Sequence, residues 1–331
     1  MITISVDLMG GDNAPLEVLN GIVTFAKSNA NVKFALFGKI TDKEREVLTQ
    51  NNINFTYFEA DDNVSSDDKP AHALRKKQNS SMALAIQAVR DGTANACVSA
   101  GNTGVLMAMS KIYLGLLENV DRPALCTSVP TKENCSVMLD MGANVDCDPE
   151  NFYQFAIMGQ AFIRSVYEIS NPSVAILNIG EEDEKGNALV KTSYKLLKEK
   201  LSQEEFSGFI EGDSIALGKV NVIVTDGFTG NIALKTFEGS GKLMTYFLKK
   251  HFKSSILAKI GYILAKSALS SLFEKIDPNN YNGALLLGLK GISVKSHGGA
   301  NAKGFANAIK VAYNLAKNDA ISDIRKKLRT R

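Results

Sequence analysis

The stretch Val-Ala-Ile-Leu-Asn-Ile at residues 174–179 decides the fold class, because it is a short and almost unbroken apolar run. Such a run is typical of a strand that is buried on both faces of a parallel sheet. Helical patterns alternate with strands of this kind, as in Ser80–Arg90 and Asn151–Ile169. The alternation predicts an α/β protein, with three α/β/α layers around a mostly parallel sheet. The candidate strands are 2–7, 33–37, 54–58, 96–99, 124–129, 136–140, 173–179, 220–224 and 292–295.

The composition is that of a globular protein with a sizeable core, since 45% of the 331 residues are hydrophobic and 22% are charged. It excludes a disordered chain, a collagen-like chain and a small scaffold held by disulfides. No linker or repeat divides the sequence, so we expect a single domain over residues 1–331. The net charge of +3 is too small to indicate nucleic acid binding.

Compartment and redox state follow from what the sequence lacks. No apolar run approaches the roughly 18 residues of a spanning helix, and the N-terminus has no basic, apolar leader. We therefore expect a cytoplasmic protein. The cysteines have no Cys-x-x-Cys spacing, so we expect free thiols and no metal site. They are Cys97, Cys126, Cys135 and Cys147.

The segment at about 237–277 interrupts the alternation, because two helical patterns follow one another there without a strand signal. Its second helix is amphipathic and basic, which suits a membrane interface with lysines on anionic headgroups. The same pattern fits a helix that packs on the core or on a second subunit, and the pattern alone favours packing. We expect a protruding helical hairpin. Its apolar residues include Ile256, Leu257, Ile260, Ile263 and Leu264, with Lys253, Lys259 and Lys266 between them.

Four glycine-rich turns follow candidate strands, at the positions where an open α/β sheet binds its ligands. Small residues there let backbone N–H groups approach an anion, and a following helix adds partial positive charge. One such turn is weak support, but four predict a cleft for a small anion. No Walker A loop, dinucleotide fingerprint or Gly-x-Ser-x-Gly elbow is present. The turns are Asp-Leu-Met-Gly-Gly-Asp (7–12), Ser-Ala-Gly-Asn-Thr-Gly (99–104), Thr-Asp-Gly-Phe-Thr-Gly-Asn (225–231) and Ser-His-Gly-Gly (296–299).

Two further side chains are candidates for chemistry. Lys185 follows the acidic run 181–184, so it could polarise a carbonyl or bind phosphate, or else belong to a solvated acidic loop. His297 follows the last candidate strand, where it could act on a substrate or be a satisfied polar residue.

Taken in order along the chain, the motifs resemble one family closely. To the turns at 7–12, 99–104 and 225–231 they add Asp-Arg-Pro-Ala-Leu (121–125), Leu-Asp-Met-Gly-Ala-Asn-Val-Asp (139–146), Asn-Ile-Gly-Glu-Glu-Asp-Glu-Lys-Gly (178–186) and Gly-Ala-Leu-Leu-Leu-Gly-Leu-Lys-Gly (283–291). The family is the bacterial phosphate acyltransferases of phospholipid synthesis, the PlsX family. The resemblance runs from residue 1 to about 315, with departures at Leu8 and after His297.

The resemblance implies a fold related to isocitrate and isopropylmalate dehydrogenases and to phosphotransacetylases. It implies a homodimer that attaches peripherally to the cytoplasmic face of the membrane and needs no cofactor. The reaction it implies makes acyl-phosphate from acyl–acyl carrier protein and orthophosphate, for a downstream glycerol-3-phosphate acyltransferase. It also shifts the expectation for the hairpin towards membrane contact.

The resemblance further suggests roles for individual residues. Lys185, Asn231 and His297 are the catalytic candidates, and Asp7, Asp12 and Asp226 are expected to orient loops and donors. A basic cluster, Arg75, Lys76 and Lys77, is the candidate docking site for the acidic carrier. The substrate-binding candidates are Gly10, Gly11, Asp12, Ser99, Gly101, Asn102, Thr103, Gly104, Asn144, Asp226, Gly227, Thr229 and Gly230.

Three other functions stay open from the sequence. A short-chain phosphotransacylase that uses acyl-coenzyme A would share the fold and the turns. A non-catalytic membrane scaffold or lipid sensor would need only the amphipathic helix. A dehydrogenase is disfavoured by the missing dinucleotide fingerprint.

Overall fold

The computed structural model describes residues 1–132 and 136–329, without the side chains of 271–276 and 278. Within these residues a single sheet of 11 strands runs in the order β3-β2-β1-β4-β11-β10-β5-β6-β9-β7-β8. The strands are β1 Ile2–Asp7, β2 Val32–Gly38, β3 Phe55–Glu59, β4 Ala96–Ser99, β5 Ala124–Val129, β6 Ser136–Leu139, β7 Val174–Asn178, β8 Phe206–Glu211, β9 Val222–Val224, β10 Ala284–Leu287 and β11 Ile292–Lys295.

Helices cover both faces of this sheet, which confirms the predicted three layers. On one face α1, α6, α10 and α11 pack together over the main core, and on the other α3, α4 and α5 pack over the first strands. The helices are α1 Leu16–Ala26, α2 Asp42–Gln50, α3 Pro70–Lys76, α4 Ser81–Arg90, α5 Thr103–Leu114, α6 Pro149–Tyr167, α7 Ala188–Lys200, α8 Gly227–Phe252, α9 Ile256–Ile276, α10 Ala302–Lys317 and α11 Ala320–Arg329.

Local sequence explains where the helices begin. The Ser80 hydroxyl accepts from the Ala83 N–H and caps α4, and Asp148 with Asn151 forms a capping box that starts α6. The interior of α6 is buried over most of its length, so it is the central helix of its layer. Within the described residues, Cys97 and Cys147 are free thiols and Cys126 is buried on β5, whereas Cys135 lies outside them.

The predicted strands are all present, but the prediction missed two more. β8 lies at the edge of the sheet and carries glycine, serine and glutamate, so its apolar signal is weak. β10 has four residues and is antiparallel to both of its neighbours. The first helix of the hairpin, α8, begins at Gly227 directly after the turn that follows β9, and so starts before residue 237.

Apart from the antiparallel β10, the strands form two sets that run in opposite directions. The strands β1, β2, β3, β4 and β11 are mutually parallel, and β5 shares their direction because the antiparallel β10 lies between β11 and β5. The strand β6 runs antiparallel to β5, and β9, β7 and β8 follow its direction. The two sets of strands therefore have their carboxyl ends on opposite sides of the sheet along the strand direction. We call these two sides the opposite edges of the sheet.

Asp140 fixes this reversal. Its buried carboxylate accepts from the backbone N–H groups of Leu125 at 3.0 Å, Ala143 at 3.0 Å and Asn144 at 2.6 Å. One side chain thus ties the start of β5 to the turn that follows β6. Burial raises the pKa of this carboxyl, although the hydrogen bonds from Ala143 and Leu125 oppose that shift.

Replacing Asp140 with alanine should lower the free energy of unfolding by about 3 kcal/mol, because several buried N–H donors lose their acceptor. Urea unfolding followed by circular dichroism measures this change. The control, Asp183→Ala, alters an exposed carboxylate and should stay within about 0.5 kcal/mol of the wild type. A loss below about 1 kcal/mol for Asp140→Ala would contradict this role.

Candidate active site

Three of the four glycine-rich turns converge at the carboxyl ends of β1, β4 and β11. We call residues 7–12, 99–104 and 295–300 the first turn cluster. The Asp12 N–H donates to the Gly298 carbonyl at 2.9 Å, and the Ser296 N–H donates to the Ser99 carbonyl at 2.8 Å. A Cβ on Gly10 would lie 2.6 Å from the Gly101 nitrogen, so only glycine permits this approach of two turns.

The buried carboxylate of Asp7 organises the cluster. It accepts from the hydroxyls of Ser81 and Ser99, each at 2.6 Å, and from the Met9 N–H at 3.2 Å. Burial raises the pKa of Asp7, while these hydrogen bonds lower it. Asp7 thus ties the turn after β1 to the start of α4 and to the end of β4.

The helix α5 begins within the cluster, as the turn pattern predicts. The Asn102 side-chain oxygen caps α5 by accepting from the Val105 N–H at 3.1 Å. Its amide group donates to the carbonyls of Ser66 at 2.8 Å and Asp68 at 3.1 Å. Asn102 therefore anchors the loop 65–68, and the exposed Thr103 is the better-placed side-chain donor for a ligand.

His297 lies at the rim of the first turn cluster with an exposed ring. Its backbone N–H donates to the Asn282 side-chain oxygen at 2.8 Å, and its Nδ1 accepts from the Gly299 N–H at 3.2 Å. When Nδ1 is an acceptor, the proton of a neutral imidazole is on Nε2. The ring therefore presents an N–H donor away from the turn.

Lys295 belongs to the same cluster, and the sequence interpretation missed it. Its side chain is 8% exposed, and its ammonium donates to the carbonyls of Ala100 at 3.4 Å and of Ser296. Burial lowers the pKa of Lys295 to about 8, and the carboxylates of Asp12 and Asp7 oppose that shift. Since Lys295 ends a predicted strand, only the observed register shows that its side chain faces the turns.

A second turn cluster forms at the carboxyl ends of β6, β7 and β9, from residues 140–144, 178–186 and 225–231. Asp226 caps α8, accepting from the Thr229 N–H and hydroxyl at 2.8 Å each. The Gly227 N–H donates to the Asn144 carbonyl at 2.7 Å. A Cβ on Gly230 would lie 2.0 Å from the Asp140 carbonyl oxygen, so a side chain there is excluded.

Two of the catalytic candidates lie in this second turn cluster. Asn231, in the first turn of α8, packs its side chain beside Gly142. Lys185 is exposed in the acidic loop, and its backbone N–H donates to the Glu182 carbonyl at 3.0 Å. Asn178 and Thr229 line a common groove of about 460 Å³, which shows that the turns after β7 and β9 adjoin.

The structure therefore divides the predicted site between two places. The first turn cluster contains Gly10, Gly11, Asp12, Ser99, Gly101, Asn102, Thr103, Gly104 and His297, and the second contains Asn144, Lys185, Asp226, Gly227, Thr229, Gly230 and Asn231. Because strand direction reverses between β5 and β6, the two clusters lie at opposite edges of the sheet. A single chain does not bring Lys185 and Asn231 to the turn that carries Thr103.

The basic docking candidates lie at the end of α3, near the loop that Asn102 anchors. Arg75 and Lys76 are exposed. The Lys77 ammonium instead forms an ion pair with Asp68 at 2.8 Å and donates to the Asn63 carbonyl at 2.6 Å. Lys77 therefore holds the chain locally, and Arg75 with Lys76 remains for a partner.

The hairpin of α8 and α9 exposes many large apolar side chains. On α9 the exposed fractions are 77% for Ile256, 80% for Leu257, 49% for Ile260, 68% for Ile263 and 82% for Leu264. On α8, Leu243, Met244, Tyr246 and Phe247 are also exposed. Such a surface marks contact with a protein or a membrane. Among the residues that the structure describes, no helix has the length and apolar character to cross a bilayer.

Solved structures identify the class of fold. The chain superimposes on the EutD phosphotransacetylase from Staphylococcus aureus with a TM-score of 0.58 and 14% identity, over 95% of this chain and 94% of that one. It superimposes on a branched-chain phosphotransacylase from Enterococcus faecalis with a TM-score of 0.55 and 15% identity, over 96% and 100%. The architecture is therefore that of the phosphotransacylase-type α/β enzymes.

Sequence relatives identify the family. A family model described as "Fatty acid synthesis protein" matches residues 2–323. The chain is 46% identical to a phosphate acyltransferase of Paramagnetospirillum magneticum, over 98% of this chain and 93% of that protein. It is 43% identical to one of Pelagibacter ubique, over 98% of each. The chain belongs to the phosphate acyltransferase family, and it is an enzyme of the acyltransferase class.

Proposed function

We propose that this enzyme transfers the acyl group of acyl–acyl carrier protein to orthophosphate. The acyl-phosphate it makes then serves a glycerol-3-phosphate acyltransferase in phospholipid synthesis. Family membership supports the transfer to phosphate. In the structure, the first turn cluster supports the proposal most directly. There the N-terminus of α5, Thr103 and the His297 ring lie at one rim of the sheet.

The reaction needs little acid–base chemistry. A phosphate oxygen attacks the thioester carbonyl, a C–O bond forms, and the C–S bond breaks as the carrier thiolate leaves. A thiol of pKa about 8.5 is a tolerable leaving group, so a strong general acid is not essential. Positioning is worth roughly 7–11 kcal/mol, and each oxyanion donor contributes about 3–4 kcal/mol.

Phosphate binding is assigned to the first turn cluster. The first N–H groups of α5 have no partner within the helix, and the positive end of its dipole favours an anion there. The Thr103 hydroxyl adds a donor, and the His297 Nε2–H adds another at the rim. Asn102 and Asp7 keep these groups in place, because their own side chains are engaged in hydrogen bonds.

Lys185 and Asn231 are assigned to polarising the thioester and stabilising the oxyanion. Since they lie at the opposite edge of the sheet from Thr103, they act on a phosphate at the first turn cluster of a second subunit. The homodimer implied by the family resemblance supplies that subunit. Exposed apolar side chains of α8 flank Asn231, with Phe228 60% and Ile232 50% exposed, which supports a subunit contact close to these residues.

Purified enzyme incubated with long-chain acyl–carrier protein and orthophosphate tests the reaction, with free thiol and acyl-phosphate followed by mass spectrometry. Phosphate-dependent formation of both products supports the proposal. Turnover only with acyl-coenzyme A would replace it with a short-chain phosphotransacylase. No turnover with either donor would favour a binding protein of the same fold.

The variants Lys185→Ala and Asn231→Ala should each lower turnover by about tenfold or more, because an oxyanion donor is lost. Their melting temperatures should stay near the wild type, since Lys185 is exposed and Asn231 is only half-buried. Lys43→Ala, an exposed lysine on α2, is the control and should keep full activity. Near-full activity in either variant would remove that residue from the mechanism.

Mixed dimers test whether the site is shared. Thr103→Asp should disable the phosphate site and Lys185→Ala should weaken the other, so each variant alone should keep at most about a tenth of wild-type activity. In a statistical mixture, a shared site restores about a quarter of wild-type activity, because half of the dimers carry one intact site. An inactive mixture of proven heterodimers would show that each chain acts alone.

Arg75 and Lys76 are proposed to dock the acidic carrier protein. The double reversal Arg75→Glu/Lys76→Glu should raise KM for the acyl carrier about fivefold at low salt, with a smaller effect at high salt. The control, Lys27→Glu/Lys43→Glu, makes the same change in net charge at exposed positions elsewhere. An equal KM in the two double variants would reject docking at α3.

The α8–α9 hairpin is proposed to hold the enzyme on the cytoplasmic face of the membrane while α8 contributes to the dimer. The change Ile263→Asn/Leu264→Asn should lower binding to anionic phospholipid vesicles by about tenfold, because two exposed apolar side chains no longer enter the lipid. Flotation measures the binding, and light scattering measures the mass of the variant.

The control for the hairpin is Val47→Asn, which changes an exposed valine on α2. Unchanged vesicle binding of the hairpin variant would show that this part of α9 does not contact lipid. Loss of the dimer without loss of vesicle binding would assign the α9 face to the subunit contact instead.

A further inference from the structure

Lys295 is a buried cation that the proposed reaction has not used. Its side chain is 8% exposed, and its register partners are the polar Ser99 on β4 and Ala284 on β10. In the register of the sheet, Lys295 of β11 pairs with Ser99 of β4. Ser5 of β1 pairs with Cys97 of β4, and continuing this register by two residues places Asp7 beside Ser99. A row of Asp7, Ser99 and Lys295 thus crosses the ends of three parallel strands on one face.

The ammonium lies where the three turns meet. Its acceptor, the Ala100 carbonyl, belongs to the turn before α5, and its other acceptor, the Ser296 carbonyl, belongs to the turn after β11. A Cβ on Gly11 would lie 3.7 Å from the Ala100 oxygen, and one on Gly298 would lie 3.8 Å from it. The amine therefore sits beneath the glycines of all three turns.

Without Lys295, the side chains of the first turn cluster would place only negative charge beside an incoming anion. Asp7 and Asp12 both belong to the first turn cluster and would repel a phosphate. In the sequence of residues 7–12, 99–104 and 295–300, Lys295 is the sole lysine or arginine. An ammonium has three N–H donors, and two carbonyls engage two of them among the described residues. One donor remains for an incoming anion.

We infer that Lys295 binds the phosphate substrate, its third N–H donating to a phosphate oxygen at the meeting point of the three turns. This inference rests on the proposed phosphate-dependent reaction and adds the residue that provides the positive charge for it. Thr103 and the start of α5 hold the phosphate from the side of β4, and Lys295 holds it from below.

The pH dependence of phosphate binding follows from the same placement. Burial lowers the pKa of Lys295 to about 8, and the charged groups whose fields reach it are Asp12 and Asp7, with His297 on the adjoining turn. Phosphate binds the ammonium form, so its affinity falls as the amine loses its proton above pH 8. An arginine at this position stays charged over the whole range, because its ordinary pKa exceeds about 12.

The test measures phosphate binding apart from the acyl reaction. The variants are Lys295→Met and Lys295→Arg, with Lys290→Met, an exposed lysine just before β11, as the control. Thermal stabilisation by inorganic phosphate should be lost in Lys295→Met and kept in the wild type and Lys290→Met. The KM for phosphate should rise about tenfold or more in Lys295→Met, while KM for the acyl donor stays within about twofold.

Lys295→Arg keeps a charge and should retain part of the phosphate affinity without its decline above pH 8. A folded Lys295→Met with unchanged phosphate stabilisation and unchanged KM would overturn the inference. So would an equal rise of KM for both substrates, since that indicates a purely structural lysine. If the wild type binds phosphate through Lys295 but transfers no acyl group, the proposed function fails and the inference stands.

Discussion

The reversal of strand direction between β5 and β6 is the constraint on which the rest of this molecule depends. In an open α/β sheet, ligands gather at the carboxyl ends of the strands, so direction decides which turns can share a ligand. Asp140 holds the reversal by accepting N–H donors from the start of β5 and from the turn after β6. The strand directions, which this buried carboxylate bridges, thereby separate the turns of the chain into two clusters.

Within the first turn cluster, the polar groups are fixed in position because they are buried and hydrogen-bonded. Asp7 and Lys295 are both nearly inaccessible, and each is held by hydrogen bonds to neighbouring turns. Such groups cannot reorient at small cost, because moving them leaves a buried donor or acceptor unpaired. The turns are therefore held in place before any ligand binds, as the proposed phosphate site requires.

The sequence predicted much of this arrangement, for physical reasons that can be named. Continuous apolar runs such as 174–179 identify strands buried on both faces, and glycines after them identify the turns. Strand direction leaves no mark on composition, so the separation of Lys185 and Asn231 from Thr103 was not predictable. The amide of Asn102 binds carbonyls more than 30 residues earlier in the chain, a pairing that only tertiary structure creates. Lys295 escaped notice because a lysine that ends a strand is ordinarily solvated.

The unusual burial of Lys295 also explains why this residue matters. Burying an ammonium costs free energy, and two backbone carbonyls compensate only part of that cost because they carry no net charge. If the lysine only tied two carbonyls together, a neutral donor would do so without desolvating a charge. The cost is offset when an anion of matching size enters the cluster and pairs with the ammonium. The ammonium also offsets the repulsion between a bound phosphate and Asp12, whose charge already acts on it. Lys295 is therefore the group that makes an anion acceptable beside Asp7 and Asp12.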